Sequence, residues 1–379
     1  MQRRDFLKTS SMVALGTLAI DSNLLAKESI QEKANKNFLN PSKEALRNMS
    51  ANPFGLVYEN AITKNQKGKV NIKKVSYGLD NNKSVANLYL PANFNVKLKY
   101  PAIVVAHPNG GVKEQVAGLF AQKLAEFGYI TLAFDAFYQG ESQGFPRNKD
   151  VPSSRVEDIS KAIDFLDTFK GVDKKRIGIL GICGGGGYTL KVAQKDKRLK
   201  AVATLSAFNT GLARRNGFLN SELDKIQEKL LNASKARELE ATSGKISYTG
   251  FAPKKLSKEE LDKIPTDLYR EGMIYYGDTH AHPNSSFIYT TSSLMDLMSF
   301  DATDQIELIN QPLLMLVGGK ADTAYMSTEA FNRAIGTQNK ELYTINNATH
   351  IQTYYKKEAV DESLNKLKIF YEKNLKNLV

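Results

Sequence analysis

Apolar positions along the chain switch between two periods from Val70 onward. Residues 70–77 and 84–90 alternate apolar and polar side chains as strands do, with Asp80-Asn81-Asn82 supplying a turn between them. Ala102-Ile103-Val104-Val105-Ala106 is a continuous apolar run between Pro101 and Pro108, the pattern of a strand buried on both faces. Residues 112–127 then carry Val116, Leu119, Phe120, Leu124 and Phe127 at helical spacing, closed by Gly128 as a cap. The rhythm continues with predicted strands over 129–134, 176–180, 201–205, 313–317 and 341–345. Predicted helices cover 154–169, 184–194, 326–335 and 354–375. Repeated strand–helix units predict a mostly parallel sheet covered by helices on both faces.

The rhythm breaks between Phe208 and about Asn310, a charged, Tyr-rich stretch with isolated helical patterns at 222–239 and 257–269. A mainly helical cap inserted at about 208–310 into a domain spanning 69–379 is the expectation. Residues 27–68 are polar and Asn/Lys-rich and read as an N-terminal arm of short helices and loops. Ahead of them, Arg3-Arg4-Asp5-Phe6-Leu7-Lys8 precedes an uncharged run of 12 residues from Thr9 to Ile20. That run is well short of a membrane span, which takes roughly 18 residues or more. Twin arginines before Phe-Leu-Lys resemble a bacterial twin-arginine export signal, expected to occupy residues 1–26. The expectation is therefore a periplasmic protein, handled by the twin-arginine machinery and not held in the membrane once the signal is removed.

Composition narrows the function classes. The chain of 379 residues is 42% hydrophobic and 24% charged, as a folded globular protein is. Its 52 Lys and Arg exceed its 40 Asp and Glu, for a net charge of +12. The excess is dispersed, with acidic residues interleaved, so a basic groove for nucleic acid is not expected. A single cysteine, Cys183, excludes an intramolecular disulfide and any cysteine-rich metal site. Asp278, His280 and His282 are spaced as a metal cluster would be, but no further ligand accompanies them.

The chemistry gathers at three predicted strand ends. Gly181-Ile182-Cys183-Gly184-Gly185 has the G-x-C-x-G form of a nucleophile elbow. A sharp strand-to-helix turn holds the nucleophile in a strained backbone conformation and needs small residues two before and two after it. The helix that follows points its amino end at the thiol and favours thiolate. A thiol also needs a base, and the base an orienting acid. His350, in Asn346-Asn347-Ala348-Thr349-His350, follows the last predicted strand, and Asp322, in Gly318-Gly319-Lys320-Ala321-Asp322, follows the strand before it. The plainer readings are a helix cap for Asp322 and a surface histidine for His350. The third end is Ala106-His107-Pro108-Asn109-Gly110-Gly111. The backbone N–H groups of Asn109 and Gly184 are the expected oxyanion hole, since Pro108 has none to give. His107 is expected to brace that loop. Tyr138, Glu141 and Arg147, after the next strand, and His282, in the cap, are candidate substrate contacts.

These motifs together resemble the dienelactone hydrolase family and its exported α/β-hydrolase relatives. The resemblance rests on Gly181–Gly185, Ala321-Asp322 and Ala348-Thr349-His350, with support from the runs 107–115, 134–142 and His282-Pro283-Asn284-Ser285. It implies an α/β-hydrolase fold and Cys183, Asp322 and His350 as a triad in the family's nucleophile, acid, histidine order. The chain departs from the small family members in its large insertion and in Pro108, which stands where they carry a glutamate beside the thiol. The dienelactone substrate itself is not carried over. The expected activity is acyl transfer from a small ester or lactone through a thioester, needing no metal or organic cofactor. A thiol redox protein, or a non-catalytic binding protein on a hydrolase scaffold, stays open.

Overall fold

The computed structural model describes residues 41–78 and 83–376. The expected signal at 1–26 and the first part of the arm, 27–40, lie outside the described residues, as does the expected turn residue Asp80 with its neighbours. From residue 41, the arm is one short helix, Lys43–Ser50, capped by the Ser42 hydroxyl on Ala45 N–H (3.1 Å), followed by turns that lead into the sheet.

Eight strands form the central sheet: β1 Asn71–Tyr77, β2 Ser84–Leu90, β3 Tyr100–Ala106, β4 Ile130–Phe134, β5 Val172–Ile182, β6 Leu199–Leu205, β9 Leu313–Gly318 and β10 Lys340–Ile345. The numbers between belong to a two-residue ladder in the inserted segment, β7 Tyr248–Thr249 against β8 Tyr289–Thr290. The order across the large sheet is β1-β2-β4-β3-β5-β6-β9-β10. β2 runs antiparallel to β1 and β4, and every other pairing is parallel. This is the α/β-hydrolase fold.

The apolar run of β3 shows why the sheet is buried on both sides. Ile103 and Val105 point into one core cluster, with Leu119, Phe120 and Leu124 of the helix Val116–Glu126. Ala102, Val104 and Ala106 point into the other, with Val156, Ile159 and Ile163 of the helix Pro152–Thr168. Fully burying each large aliphatic side chain in such a sandwich contributes about 1.5–3 kcal/mol.

Three expected helices are shortened or divided, each for a local reason. The helix expected from Val112 begins at Val116, because Lys113 is drawn down into a buried ion cluster. The helix expected over 257–269 is two, Lys258–Asp262 and Asp267–Ile274, since Pro265 pushes Ile264 out of helical geometry. The last helix is interrupted at Lys356, whose extended backbone (ψ 120°) separates Gln352–Tyr355 from Lys357–Tyr371. Between β6 and β9 the chain builds mostly helices, the longest being Ile226–Ser243. Among the described residues, no helix is long and apolar enough to cross a membrane.

Candidate active site

Cys183 terminates β5 and caps the helix Gly184–Lys195 with φ 52° and ψ −121°, a conformation that L-residues adopt only under constraint. The constraint is visible on both sides. A Cβ on Gly181 would sit 2.4 Å from Thr189 Oγ1, and one on Gly185 would sit 2.5 Å from the Ala106 carbonyl. The Cys183 carbonyl accepts from the N–H groups of Gly186 (2.8 Å) and Phe208 (2.9 Å), which fixes the turn from behind. The thiol is 8% exposed and lies in the wall of a cavity of about 110 Å³. The backbone N–H groups of Asn109 and Gly184 lie near enough to its sulfur to favour the thiolate form. Asn109 is held there by its own amide, which donates to Thr210 Oγ1 (2.8 Å).

His350 follows β10 and is completely buried. Its Nδ1 lies 2.6 Å from Thr323 Oγ1, and its Nε2 lies 2.9 Å from the Tyr354 hydroxyl. Tyr354 lines the same cavity wall as Cys183, and its hydroxyl is near enough to the thiol to pull its pKa down. The order in space is therefore Cys183, Tyr354, His350, Thr323. Asp322 is not hydrogen-bonded to the imidazole. Its Oδ2 accepts from the Leu268 N–H (3.0 Å), at the amino end of the helix Asp267–Ile274, and its Oδ1 is buried without a partner. A carboxylate there meets unsatisfied N–H groups and the positive end of the helix dipole. The adjacent Thr323 takes the place at Nδ1 that sequence reasoning gave to the acid.

Burial dominates the electrostatics. It lowers the His350 pKa to about 3, so the imidazole is neutral. It raises the Cys183 thiol above its ordinary value, an effect partly offset by the Tyr354 hydroxyl and the two N–H groups. At rest the pair is neutral thiol and neutral imidazole, not thiolate and imidazolium.

The cavity wall is mostly apolar. Phe208, Leu268, Tyr269, Met273, Tyr276 and Phe287 line it, along with Arg214, whose guanidinium stacks 4.7 Å from the Tyr289 ring. All of these come from the segment between β6 and β9. None of Tyr138, Glu141, Arg147 and His282 lines this cavity. Arg147 donates to the carbonyls of Ser142 (2.6 Å) and Gly140 (2.7 Å), holding its own loop. His282 lines a separate small cavity that Pro41 and Ser42 of the arm also line, and its Nδ1 accepts the Asn284 N–H (3.2 Å). Glu141 pairs with Lys74 (2.8 Å) and Lys113 (2.7 Å). Asp278, His280 and His282 form no metal cluster among the described residues: His280 stacks on Tyr275 (4.3 Å) and Asp278 pairs with Lys255 (3.1 Å). A larger open groove of about 920 Å³ lies beside Asn65, Leu90 and Phe94, near the start of β3 and remote from Cys183.

His107 braces the β3 end. Its Nδ1 donates to the Pro108 carbonyl (2.7 Å) and its Nε2 accepts from the Ala136 N–H (3.1 Å) beyond β4. Below it sits a feature that sequence reasoning passed over. Lys113 is fully buried with its ammonium 2.6 Å from Glu114, 2.7 Å from Asp135 and 2.7 Å from Glu141. Its N–H also donates to Asp135 Oδ1 (3.0 Å). The cluster ties the loop after β3 to the loop after β4. The available signal was Lys113-Glu114 standing in a stretch otherwise bound for the core.

Comparison with known proteins agrees with this architecture. A model of the Dienelactone hydrolase family matches residues 86–251. YcjY of Escherichia coli K12, an uncharacterised protein, is 39% identical over 309 residues, covering 80% of this chain and 99% of that one. PA2218 of Pseudomonas aeruginosa is 35% identical over 271 residues, 71% of this chain and 72% of that protein. The crystal structure of PA2218 superposes with a TM-score of 0.73 at 31% identity, over 82% of this chain and 95% of that one. A monoacylglycerol lipase from Paleococcus ferrophilus shares the fold, with a TM-score of 0.52 at 16% identity over 80% of this chain and 99% of that one. An elbow at the end of a central parallel strand, the family's sequence pattern across that sheet and full-length relatives of this identity have one reading: the chain is a hydrolase belonging to the dienelactone hydrolase family, on the α/β-hydrolase fold.

Proposed function

We propose that the protein cleaves a small ester or lactone by acyl transfer to Cys183. The observation that carries this reading is the convergence of the Asn109 and Gly184 N–H groups on a thiol held in a strained elbow at a cavity wall. Donors already aimed at the sulfur lie next to where a carbonyl oxygen becomes an oxyanion once the sulfur has attacked. The Cys183 sulfur attacks the carbonyl carbon, and His350 is the base that takes up the thiol proton. His350 then returns a proton to the leaving alcohol oxygen and activates the water that clears the thioester. The apolar wall accepts the acyl or alcohol portion of the substrate. The test is mass spectrometry of the rapidly quenched enzyme with a chromogenic ester. An acyl adduct on the Cys183 peptide supports the reading, and turnover with no adduct at any time point, in wild type and in slow variants alike, counts against it.

The neutral state of His350 has a kinetic consequence. A general base must be unprotonated, so activity is lost only as pH falls through its folded value of about 3. The acid limb of kcat/KM is expected near there and not at the ordinary histidine value of about 6.5. A profile measured upward from about pH 4 stays flat through that ordinary value, and a half-loss there contradicts the assignment.

We also propose that the precursor is exported to the periplasm by the twin-arginine route, on the strength of Arg3-Arg4 before Phe6-Leu7-Lys8. Arg3→Lys combined with Arg4→Lys is expected to hold the protein in the cytoplasm. Fractionation that finds wild-type periplasmic levels in the double variant refutes the route.

A further inference from the structure

We propose that Tyr354 is a catalytic residue: its hydroxyl carries the proton between Cys183 and His350, so the site works as a Cys–Tyr–His chain. The inference rests on the reading of Cys183 as nucleophile and His350 as base. It starts from helix geometry. His350 and Tyr354 are four residues apart, which places them on one face of the turn that enters the helix Gln352–Tyr355. That spacing brings the Tyr354 hydroxyl to 2.9 Å from His350 Nε2, while Tyr354 shares a cavity wall with Cys183 and its hydroxyl is near enough to shift the thiol's pKa.

The phenol is fixed in that position. Tyr354 is 1% exposed, and its ring packs edge-on against Tyr275 with centroids 5.6 Å apart. On the far side of the imidazole, Nδ1 lies 2.6 Å from Thr323 Oγ1, and in the tautomer that carries its proton on Nδ1 the Nε2 atom accepts from the Tyr354 O–H. With its O–H turned from the sulfur to Nε2, the phenol oxygen is open to accept the thiol proton. In that arrangement the thiol, the phenol and Nε2 point their protons and lone pairs in the direction that the chemistry needs. Burial keeps the imidazole neutral and the thiol protonated, so a proton has to travel when the sulfur attacks.

The step balances. As the Sγ–C bond forms, the carbonyl π pair moves onto the oxygen held by Asn109 and Gly184. The thiol proton passes to the Tyr354 oxygen while the phenol proton passes to His350 Nε2, so Tyr354 ends unchanged and His350 ends protonated. Collapse reverses the transfer: the phenol gives its proton to the departing alkoxide as the C–O bond breaks, and His350 restores it. A water then attacks the thioester, loses a proton through Tyr354 to His350, and that proton returns to sulfur as the C–S bond breaks.

The test uses the full enzyme with p-nitrophenyl acetate. Tyr354→Phe keeps the ring and its packing and removes only the relay oxygen. The expected loss is about 10²–10⁴-fold in kcat with KM little changed, as for removal of a general acid–base group. His350→Ala is expected to lose a similar factor, and the double variant no more than either, because the two act as one unit. A second measurement separates relay from scaffold: fluorotyrosines of graded acidity installed at position 354. A relay makes kcat vary systematically with phenol acidity. A flat response overturns the proposal even if Tyr354→Phe is inactive, and wild-type kcat in Tyr354→Phe overturns it outright. Failure of the underlying reading looks different, since it leaves turnover intact in Cys183→Ala.

Discussion

Cys183→Ala is expected to abolish ester turnover, by about 10³-fold or more, without unfolding the chain. A loss of that size corresponds to roughly 4 kcal/mol of transition-state stabilisation. The fold survives because alanine bears the same Cβ into the same strained φ and ψ, and the glycines that make room for the turn are untouched. Cys183→Ser is expected to recover little, since the shorter C–O bond draws the nucleophile back from the Asn109 and Gly184 donors and from Tyr354. Asp322→Asn is expected to be far milder on kcat, because this carboxylate caps the helix Asp267–Ile274 and does not hold the imidazole. The check is kcat and KM of each purified variant beside its thermal unfolding curve. Wild-type rates in Cys183→Ala would remove the thiol from catalysis.

Lys113→Met is expected to have the largest effect on stability. It strips the cation from the fully buried Asp135, the nearly buried Glu114 and the partly buried Glu141. Breaking a buried ion pair by removing one partner costs about 3–5 kcal/mol, because an uncompensated charge is left inside. Lys113 holds the Asp135 carboxyl below its ordinary value against the opposing pull of burial. A depressed carboxyl contributes stability above its unfolded value, lost as pH falls through its folded value. The gap between Lys113→Met and wild type should therefore narrow in acid, where Asp135 takes a proton in both. Glu114 has the opposite sign. Burial and its carboxylate neighbours push it up to about 7, so its contribution is complete below 4.5 and is lost as pH rises through 7. Urea midpoints across this range, for wild type, Lys113→Met and Glu114→Gln, test both signs. A flat difference between wild type and Lys113→Met would show that the pairing carries no stability.

The sheet was readable because strand burial writes itself as composition. Ala102–Ala106 is apolar at every position, since both faces of β3 are covered. The elbow was readable because its clearances admit only glycine at 181 and 185. What failed to show was side-chain direction within loops. Asp322 and Thr323 are neighbours in sequence, and only the backbone path after β9 decides which of them faces His350. Tyr354 carried a usable signal in its four-residue offset from His350, hidden by the expectation that a helix beginning at 354 left the histidine in a loop. Three of the four candidate substrate contacts, Tyr138, Glu141 and Arg147, were assigned by proximity to a strand end. Such proximity does not distinguish a side chain aimed at the cavity from one, such as Arg147, folded back onto its own carbonyls.

The loop after β3 is fastened from above as well as from below. The Gly110 carbonyl accepts both the Ser285 hydroxyl (2.6 Å) and the Ser286 N–H (3.0 Å), while Asp322 receives the Leu268 N–H. Each of these bonds joins a loop at the sheet edge to the segment between β6 and β9, and each lies next to a residue that the site uses, Asn109 beside the thiol or Thr323 beside His350. That segment cannot swing outward as a rigid lid without pulling on the Asn109 N–H and on the turn that carries Thr323. Access and alignment are thus the same mechanical variable in this molecule. A substrate that must pry the entrance open does so by misaligning the groups that would act on it, and one that slips in without strain finds them already in register.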